Sequence, residues 1–278
     1  MTAPRRVATS GATAAVWLDA PPLDGLRTAA VGAFDSDDAD AGARLLRETF
    51  EQLREEGFGA VLGPMDGDTW SAHRLVTQSD GRPPFFLEPR NPTDHPAAFE
   101  QAGFDIVARY LSAERPAAPG TEKPGPLGLS LRPFDPANAE AELRRLHALS
   151  LVAFADNAFY RPITAERFLA GYAPILPDLD PELVLLAEDE AGELQGFLFA
   201  LPDLEQGPRP TAVILKTYAS RVKGAGSLLA DRFHALAHAK GYATVIHALM
   251  HEANLSARHS DHTGACGFRR YALYGRRL

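Results

Sequence analysis

A short glycine-rich loop is the part of this sequence best suited to chemistry. Residues 221–227 read Arg-Val-Lys-Gly-Ala-Gly-Ser and lie between a predicted strand and a predicted helix. Gly224 and Gly226 let the backbone turn tightly and approach a ligand closely. The helix that follows presents unpaired N–H groups and the positive end of its dipole, while Arg221 and Lys223 add positive charge. Such a junction is typical of a phosphate or pyrophosphate site.

Two other phosphate-binding motifs do not fit this loop. A Walker loop needs G-x-x-x-x-G-K-[ST], which the sequence lacks, and a dinucleotide fingerprint needs a third glycine where Leu229 stands. These mismatches disfavour a nucleotide-binding phosphotransferase. The alternative without a ligand is a glycine turn that only joins the strand to the helix.

The distribution of charge favours an anionic ligand near the loop. The chain has a net charge of -8, from 28 Lys and Arg against 36 Asp and Glu. Residues 209–278 hold 11 basic and 3 acidic groups, whereas residues 127–208 hold 5 and 14. The negative sum disfavours a nucleic-acid binder, while the basic final quarter can concentrate a small anion. The alternative explanation of the basic final quarter is that its Lys and Arg residues cluster by chance.

Composition places the chain among ordinary globular proteins. It is 45% hydrophobic and 23% charged, and its single cysteine excludes an intramolecular disulfide or a cysteine-based zinc cage. No apolar run reaches the ~18 residues of a membrane span. Arg5 and Arg6 precede an Ala-rich stretch, as in an export signal, but polar residues interrupt it. We expect a cytoplasmic protein without a membrane partner.

Hydrophobic periodicity predicts an α/β protein with a mixed sheet and helices on its faces. Residues 113–126 contain four prolines and predict a linker between domains 1–112 and 127–278. After the linker the pattern predicts the order β-α-α-β-β-β-α-β-α-β. The strands are predicted at 129–134, 183–188, 194–201, 212–219, 244–250 and 268–274.

The first domain repeats part of this order. A predicted strand at 28–34 leads to a helix at 40–56 and a strand at 60–64. Gly42 and Gly57 have the same separation as Gly226 and Gly241, and Gly103-Phe104 parallels Gly267-Phe268. Matches in the same order predict two tandem domains of one ancestry.

The motif Arg221-x-x-Gly224-x-Gly226 after a strand resembles the acyl-CoA loop of the GNAT-type N-acetyltransferase superfamily. The predicted order over about 130–278 also resembles that fold, and the whole chain is similar to bacterial proteins that pair two such domains. The resemblance implies acetyl-CoA, or another acyl-CoA, as co-substrate between strands 212–219 and 244–250. Strand N–H groups there would polarise the thioester carbonyl.

The resemblance also implies contacts with this cofactor, although Asn254 could instead cap a helix. Those residues are Thr217, Ala219, Arg221, Val222, Lys223, Gly224, Ala225, Gly226, Ser227 and Asn254. The sequence departs from the superfamily at Val222, where glycine is common, and at Asp261, where a proton-donating tyrosine is usual. The resemblance therefore leaves the general acid open.

Three residues near the predicted cleft are candidates for proton transfer. Tyr218 carries a hydroxyl suited to cleft chemistry, and His251 or Glu252 could take a proton from an ammonium group. Six of the nine histidines lie within 234–262, but without H-E-x-x-H spacing we expect imidazoles facing the cleft or solvent and no metal.

The acceptor site is predicted at residues 156–160, between the first two helices of the second domain. Asp156 could hold an amine, with Asn157 beside it and Phe159 or Tyr160 stacking on the acceptor. The acidic segment 127–208 suits a cationic acceptor, although solvated surface also explains it. In the first domain, loops 63–70 and 83–89 either face the second domain or belong to a core.

The first domain is predicted to be degenerate. Its counterpart of the glycine loop, residues 35–42, carries four aspartates, which would repel phosphate. The sequence therefore predicts one working acyl-CoA site, in an N-acetyltransferase that moves an acetyl group directly to the amine of a small molecule or peptide. The alternative is a non-catalytic acyl-CoA-binding or interaction protein. The sequence leaves open whether the protein forms a homodimer.

Overall fold

The computed structural model describes residues 3–120 and 128–278, which form twelve strands in one sheet and six α-helices. The strands are β1 (Arg5–Thr9), β2 (Ala12–Trp17), β3 (Thr28–Ser36), β4 (Ala60–Gly63), β5 (Leu75–Ser79), β6 (Asp105–Pro116), β7 (Leu129–Pro133), β8 (Val184–Asp189), β9 (Leu194–Pro202), β10 (Ala212–Ser220), β11 (Thr244–His251) and β12 (Cys266–Arg277). The helices are α1 (Ala39–Glu55), α2 (His95–Gln101), α3 (Ala139–Ala153), α4 (Ala165–Tyr172), α5 (Ala225–Ala239) and α6 (Leu255–His262). None of the helices in the described ranges is both long and apolar enough to cross a membrane.

The strands follow the order β1-β2-β3-β4-β12-β6-β11-β10-β9-β8-β7, and β5 also pairs with β12. Neighbours run antiparallel except for β3 with β4 and β10 with β11. The predicted mixed α/β class is therefore confirmed.

The two halves of the chain repeat one topology. Elements β1-β2-β3-α1-β4-α2-β6 follow the same order as β8-β9-β10-α5-β11-α6-β12. The parallel pairs also correspond, since Thr28 lies opposite Ala60 and Ala212 opposite Thr244. In the described ranges only the second half adds a strand and two helices ahead of this unit, namely β7, α3 and α4.

The halves exchange their last strands. Strand β12 of the second half lies between β4 and β6 of the first, and β6 lies between β12 and β11. Tyr110 and Tyr271 face each other across the central β6–β12 pair. Neither half therefore completes its sheet without a strand from the other.

This exchange corrects the predicted linker. Residues 113–116 are the end of β6 and pair with β11, with Pro116 opposite Thr244. The prolines that predicted a linker begin only at Pro116, the last residue of β6. Composition therefore gave no reason to place residues 113–115 in a linker. The later part of the predicted linker, residues 121–127, lies outside the described residues.

Helices cover the two faces of the sheet unequally. Helices α1, α2 and α5 pack on one face, and α3 and α4 pack on the other face of the second half only. Loops of the first half cover the remaining area of that second face, where Met65 and Phe85 are buried. Phe85 fits both predicted alternatives, because it is buried in a core and that core lies beneath α3 and α4 of the second half.

A buried polar network fastens these loops to the exchanged strands. The Glu88 carboxylate lies 2.5 Å from the Arg269 guanidinium, and it also accepts a hydrogen bond from the Tyr271 hydroxyl. The Glu88 side chain has 0% exposure and that of Arg269 has 3%. Burial raises the pKa of Glu88, while Tyr271 and Arg269 oppose that shift. Ser112 Oγ lies 2.9 Å from the Tyr271 hydroxyl and accepts the Leu249 N–H at 3.0 Å, which links the network to β11.

We expect Glu88→Ala to lower the free energy of unfolding by about 3–5 kcal/mol, because Arg269 would remain buried without its carboxylate. Denaturant unfolding would measure the change. Glu51→Ala is the matched control, since Glu51 pairs with Arg54 on the surface and its loss should cost less than about 1 kcal/mol. Equal losses in the two variants would contradict the role given to this network.

Candidate active site

The parallel strands β10 and β11 separate halfway along their length. Their pairing runs from Ala212 opposite Thr244 to Leu215 opposite His247 and then ends, although both strands continue. Each has an irregularity at this point: β10 bulges at Lys216 against β9, and β11 bulges between His247 and Met250 against β6. A cavity of about 270 Å³ opens where the strands part.

Six of the residues predicted for the site line this cavity. They are Asn157, Tyr160, Thr217, Tyr218, His251 and Asn254. The structure therefore brings the predicted acceptor segment and the predicted cofactor strand to one place. The Asn254 side-chain amide also donates to the Asn157 side-chain oxygen across the opening at 3.4 Å.

The glycine loop lies at the start of α5, next to the cavity wall. Gly224 has φ +90°, in the left-handed region that favours glycine, and α5 begins at the following residue. The N–H groups of Gly226 and Ser227 have no acceptor within the described ranges, as expected in a first helical turn. A side chain at Gly226 would lie 3.5 Å from Cε2 of Tyr218, which lines the cavity.

The other loop residues differ in exposure. Arg221 and Lys223 are exposed, Val222 is half-buried, and Ala225 is fully buried beneath the helix. Arg221 donates to the Gln195 side-chain oxygen at 3.0 Å, which fixes it beside β9. The loop thus presents cations and free N–H groups together.

The His251 imidazole lines the cavity in a defined orientation. Its Nδ1 accepts the N–H of Ala253 at 3.1 Å, and its ring meets Tyr110 edge-on with centroids 5.1 Å apart. Burial and the charge of Arg74 lower the pKa of His251. The neutral ring therefore carries its proton on Nε2 and is a donor at that atom rather than a base.

Apart from the loop residues 221–227, four predicted residues do not line the cavity. The Glu252 carboxylate pairs with Arg270 at 2.5 Å, which corrects its assignment as a base at the mouth of the cleft. Asp156 is exposed, so it does not hold an amine inside the cavity. Phe159 packs against the core of the first half, and Ala219 is buried beneath α3 and α4. Ala219 can therefore contribute only backbone groups.

Arg74, from the first half, is a cavity residue that sequence reasoning missed. Its guanidinium donates to the Leu249 carbonyl at 3.1 Å and to the His73 carbonyl at 3.1 Å, and it lies 4.0 Å from the centroid of the Tyr110 ring. Burial lowers its pKa to about 10, so it remains charged at neutral pH. Both Arg74 (φ +76°) and Leu249 (φ +56°) have left-handed backbones, a strain typical of functional sites.

His73 holds the Arg74 guanidinium in place. Its Nδ1 lies 2.9 Å from the Ser71 carbonyl, which fixes the proton on that atom, and its Nε2 then accepts from Arg74. Burial and the neighbouring Arg74 charge lower the pKa of His73 well below 6.5, so the ring is neutral.

Lys216 is a second missed residue. It is the bulged residue of β10, since Leu215 lies opposite Ala200 and Thr217 opposite Phe199. Burial and the charge of Arg74 lower its pKa to about 8, and the attraction of Glu88 only partly opposes them. A bulge has no sequence signature here, and therefore simple alternation could not place this side chain.

Solved structures that resemble this chain share one fold. A GCN5-related N-acetyltransferase from Sphaerobacter thermophilus matches with TM-score 0.59 at 18% identity, covering 96% of this chain and 76% of that one. A tandem GNAT protein from the clavulanic acid biosynthesis pathway matches with TM-score 0.54 at 14% identity, covering 96% and 79%. This chain has the GNAT fold. No protein-family model and no curated protein matches the sequence, so the likeness is one of structure.

The first half of this GNAT-fold protein has a filled counterpart of the cavity. Asp66 accepts the N–H of Ala33 at 2.8 Å, and a side chain at Gly32 would collide with Asp66 and with the backbone of Met65. At the start of α1, the Asp38 side chain accepts the Ala41 N–H at 2.7 Å. A carboxylate of the chain itself thus occupies the position where the second half presents free N–H groups.

Histidines line the α5 side of the cavity in the second half. His234 and His247 meet edge-on with centroids 5.2 Å apart, and His247 Nδ1 lies 2.7 Å from Ser260 Oγ. His238 is exposed, and the side chains of His259 and His262 lie outside the described residues. The expectation of cleft-lining imidazoles is confirmed for His234, His247 and His251.

We expect Lys216→Met to raise the free energy of unfolding at pH 7 by about 1–3 kcal/mol, since it removes a desolvated charge. With the pKa lowered from 10.5 to about 8, the folded protein binds fewer protons than the unfolded chain between these pH values. The stability of the unmodified protein therefore rises with pH through that range, and the gain from the substitution shrinks. Urea unfolding from pH 7 to 10.5 measures both.

Lys240→Met is the matched control for this prediction. The Lys240 ammonium pairs with Asp180 at 2.8 Å and with Glu182 at 2.5 Å, so its removal should lower stability slightly. A loss of stability in both variants would contradict the charge penalty assigned to Lys216.

Proposed function

We propose that this protein is an acyl-CoA-dependent N-acetyltransferase that moves an acetyl group directly from the thioester to an amine. The observation that carries the proposal is the separation of β10 and β11 within a GNAT fold. Where the strands separate, the cationic loop at the start of α5 lies next to a cavity. Residues at the end of α3 and residues of the first half also line this cavity. A long cofactor can lie in this opening with its phosphates at one end and its thioester at the other.

The loop supplies groups that fit a pyrophosphate. The N–H groups of Gly226 and Ser227 point out of the first turn of α5, where the helix dipole favours negative charge. Arg221 and Lys223 are exposed beside them. Asn254 follows the end of β11 and lines the cavity, so its side chain can contact the pantetheine arm.

The cavity supplies groups that fit acyl transfer. Past Leu215 the edge of β10 that faces β11 has no partner strand among the described residues, so its N–H groups can polarise the thioester carbonyl. Attack by the amine nitrogen on that carbon breaks the carbon–sulfur bond, and the Tyr218 hydroxyl can then protonate the leaving thiolate. Burial raises the pKa of Tyr218, so the hydroxyl keeps its proton at neutral pH.

The acceptor must lose a proton before it attacks, and the positive charges of Arg74 and Lys216 favour its neutral form. In this proposal water takes that proton, because Glu252 is paired with Arg270 and His251 Nδ1 accepts a backbone hydrogen bond. The same two observations favour a second candidate, a non-catalytic acyl-CoA-binding protein. Release of CoA in the presence of an amine panel separates the two.

We expect the double variant Arg221→Glu/Lys223→Glu to bind acetyl-CoA about 10- to 100-fold more weakly, because carboxylates would replace the cations beside the pyrophosphate. Isothermal titration calorimetry measures the affinity, and the difference should shrink at high salt. Arg209→Glu is the matched control, as Arg209 is exposed in the turn that precedes the opposite end of β10. Unchanged affinity in the double variant would contradict the assigned cofactor loop.

We expect Tyr218→Phe to lower kcat by about 100-fold or more while the affinity for acetyl-CoA changes little, since the variant loses only the proton donor. Steady-state CoA release and calorimetry together test this. Tyr242→Phe is the control, because Tyr242 packs near α5 without lining the cavity. A kcat within a few-fold of the parent enzyme would exclude Tyr218 as general acid.

A further inference from the structure

The cavity is cationic although the protein is acidic. The chain has a net charge of -8, yet Arg74 and Lys216 line the cavity, and no aspartate or glutamate is among its lining residues within the described ranges. The carboxylate that acts on Lys216 is Glu88, which is fully buried and paired with Arg269. The two cavity cations therefore lack a neutralising carboxylate of their own.

Arg74 is held with donors to spare. Of the five N–H donors of a guanidinium, Arg74 uses three on partners among the described residues, namely the carbonyls of His73 and Leu249 and His73 Nε2. The ring of Tyr110 supports one face of the guanidinium. The two remaining N–H groups belong to a rigid planar fork, which suits the two oxygens of a carboxylate.

Lys216 is set against the same space without a partner. No hydrogen bond or ion pair engages its ammonium in the part of the chain that the structure describes, and the charge of Arg74 acts on it unfavourably. Keeping two like charges together in a partly desolvated cavity costs stability. An anion between them would offset that cost, whereas a polyamine or another purely cationic acceptor would be repelled.

The neighbouring walls limit the size and character of the ligand. Trp70, from the first half, and Tyr160 lie with ring centroids 6.0 Å apart at the cavity, and the Trp70 indole N–H donates to the Arg161 carbonyl at 2.8 Å. A volume of about 270 Å³ holds a small molecule. The cavity thus has two cationic side chains and two aromatic rings among its lining residues.

We infer that the acceptor is a small amine that also carries a carboxylate, such as an amino acid, and that Arg74 and Lys216 bind this carboxylate. The inference rests on the proposed function and names its substrate class. It replaces the cationic acceptor expected from the acidic segment 127–208, because that acidity does not extend into the cavity.

The test compares amines that differ only in the anion. Amino acids and their carboxamides present the same amine with and without the negative charge, and CoA release from acetyl-CoA is measured for both. We expect kcat/KM at least 10-fold higher for the acids. Lys216→Gln should raise KM about 10- to 100-fold more for the acids than for the amides, thereby removing the preference, whereas its effect on the acceptor amine should be shared by both series.

Two controls keep the outcomes distinct. Lys240→Gln should leave the preference unchanged, and acetyl-CoA affinity should be the same in Lys216→Gln as in the parent protein. Equal turnover of acids and amides, or an undiminished preference in Lys216→Gln, would overturn the inference while the proposed function stands.

If acetyl-CoA supports no release of CoA with any amine, the proposed function fails, and direct binding then tests the anion site. Calorimetry with N-acetyl amino acids should show binding that Lys216→Gln weakens at least 10-fold. No difference between the two proteins would overturn the site. Aminophosphonates and aminosulfonates in the same assay identify which anion fits best, and tighter binding of either than of the carboxylate would overturn the choice of carboxylate.

Discussion

The exchange of β6 and β12 is the constraint on which the rest of the structure depends. Each strand completes the sheet of the other half, so the two halves fold as one body in which β11 lies beside a strand from the first half. That arrangement places Arg74 within hydrogen-bond reach of the Leu249 carbonyl. Residues of both halves therefore line the cavity, and a single GNAT-type unit would lack those of the first half.

The buried network beneath the exchange also shapes the site. Glu88 joins Arg269 and Tyr271, and Ser112 carries the chain of hydrogen bonds to the backbone of Leu249. Leu249 and Arg74 both have strained backbones, each costing about 1–3 kcal/mol. The surrounding packing sustains this strain at the place where the strands part and the cavity opens.

The two halves show how a few side chains decide whether the space beside the parallel strands of one topology is filled or open. In the first half, Asp66 and Met65 fill the space beside Gly32, and Asp38 caps α1. In the second half, bulges in β10 and β11 keep the strands apart, and Gly224 begins α5 without a capping side chain. These differences support the proposal of one acyl-CoA site in the second half.

Local sequence signals predicted most of the strands and helices. They failed where contacts between residues distant in sequence determine the structure. The glycine loop, the order of elements after residue 128 and the repeat of glycines all follow from turn chemistry and periodicity. Strands β1 and β2 were not predicted, because β1 begins with two arginines and half of the residues in β2 are alanines, so neither short strand shows a clear apolar alternation. Glu252 was misplaced because its partner Arg270 belongs to another strand.

The sequence by itself predicted the glycine loop between a strand and a helix, the mixed α/β class and the repeated order of elements, since each depends on residues close together along the chain. Only the tertiary structure decided that the last strands are exchanged, that Arg74 and Lys216 meet in one cavity, and that this cavity is cationic. Strand pairing, bulges and burial set those features. They arise between residues distant in sequence, so no local pattern encodes them.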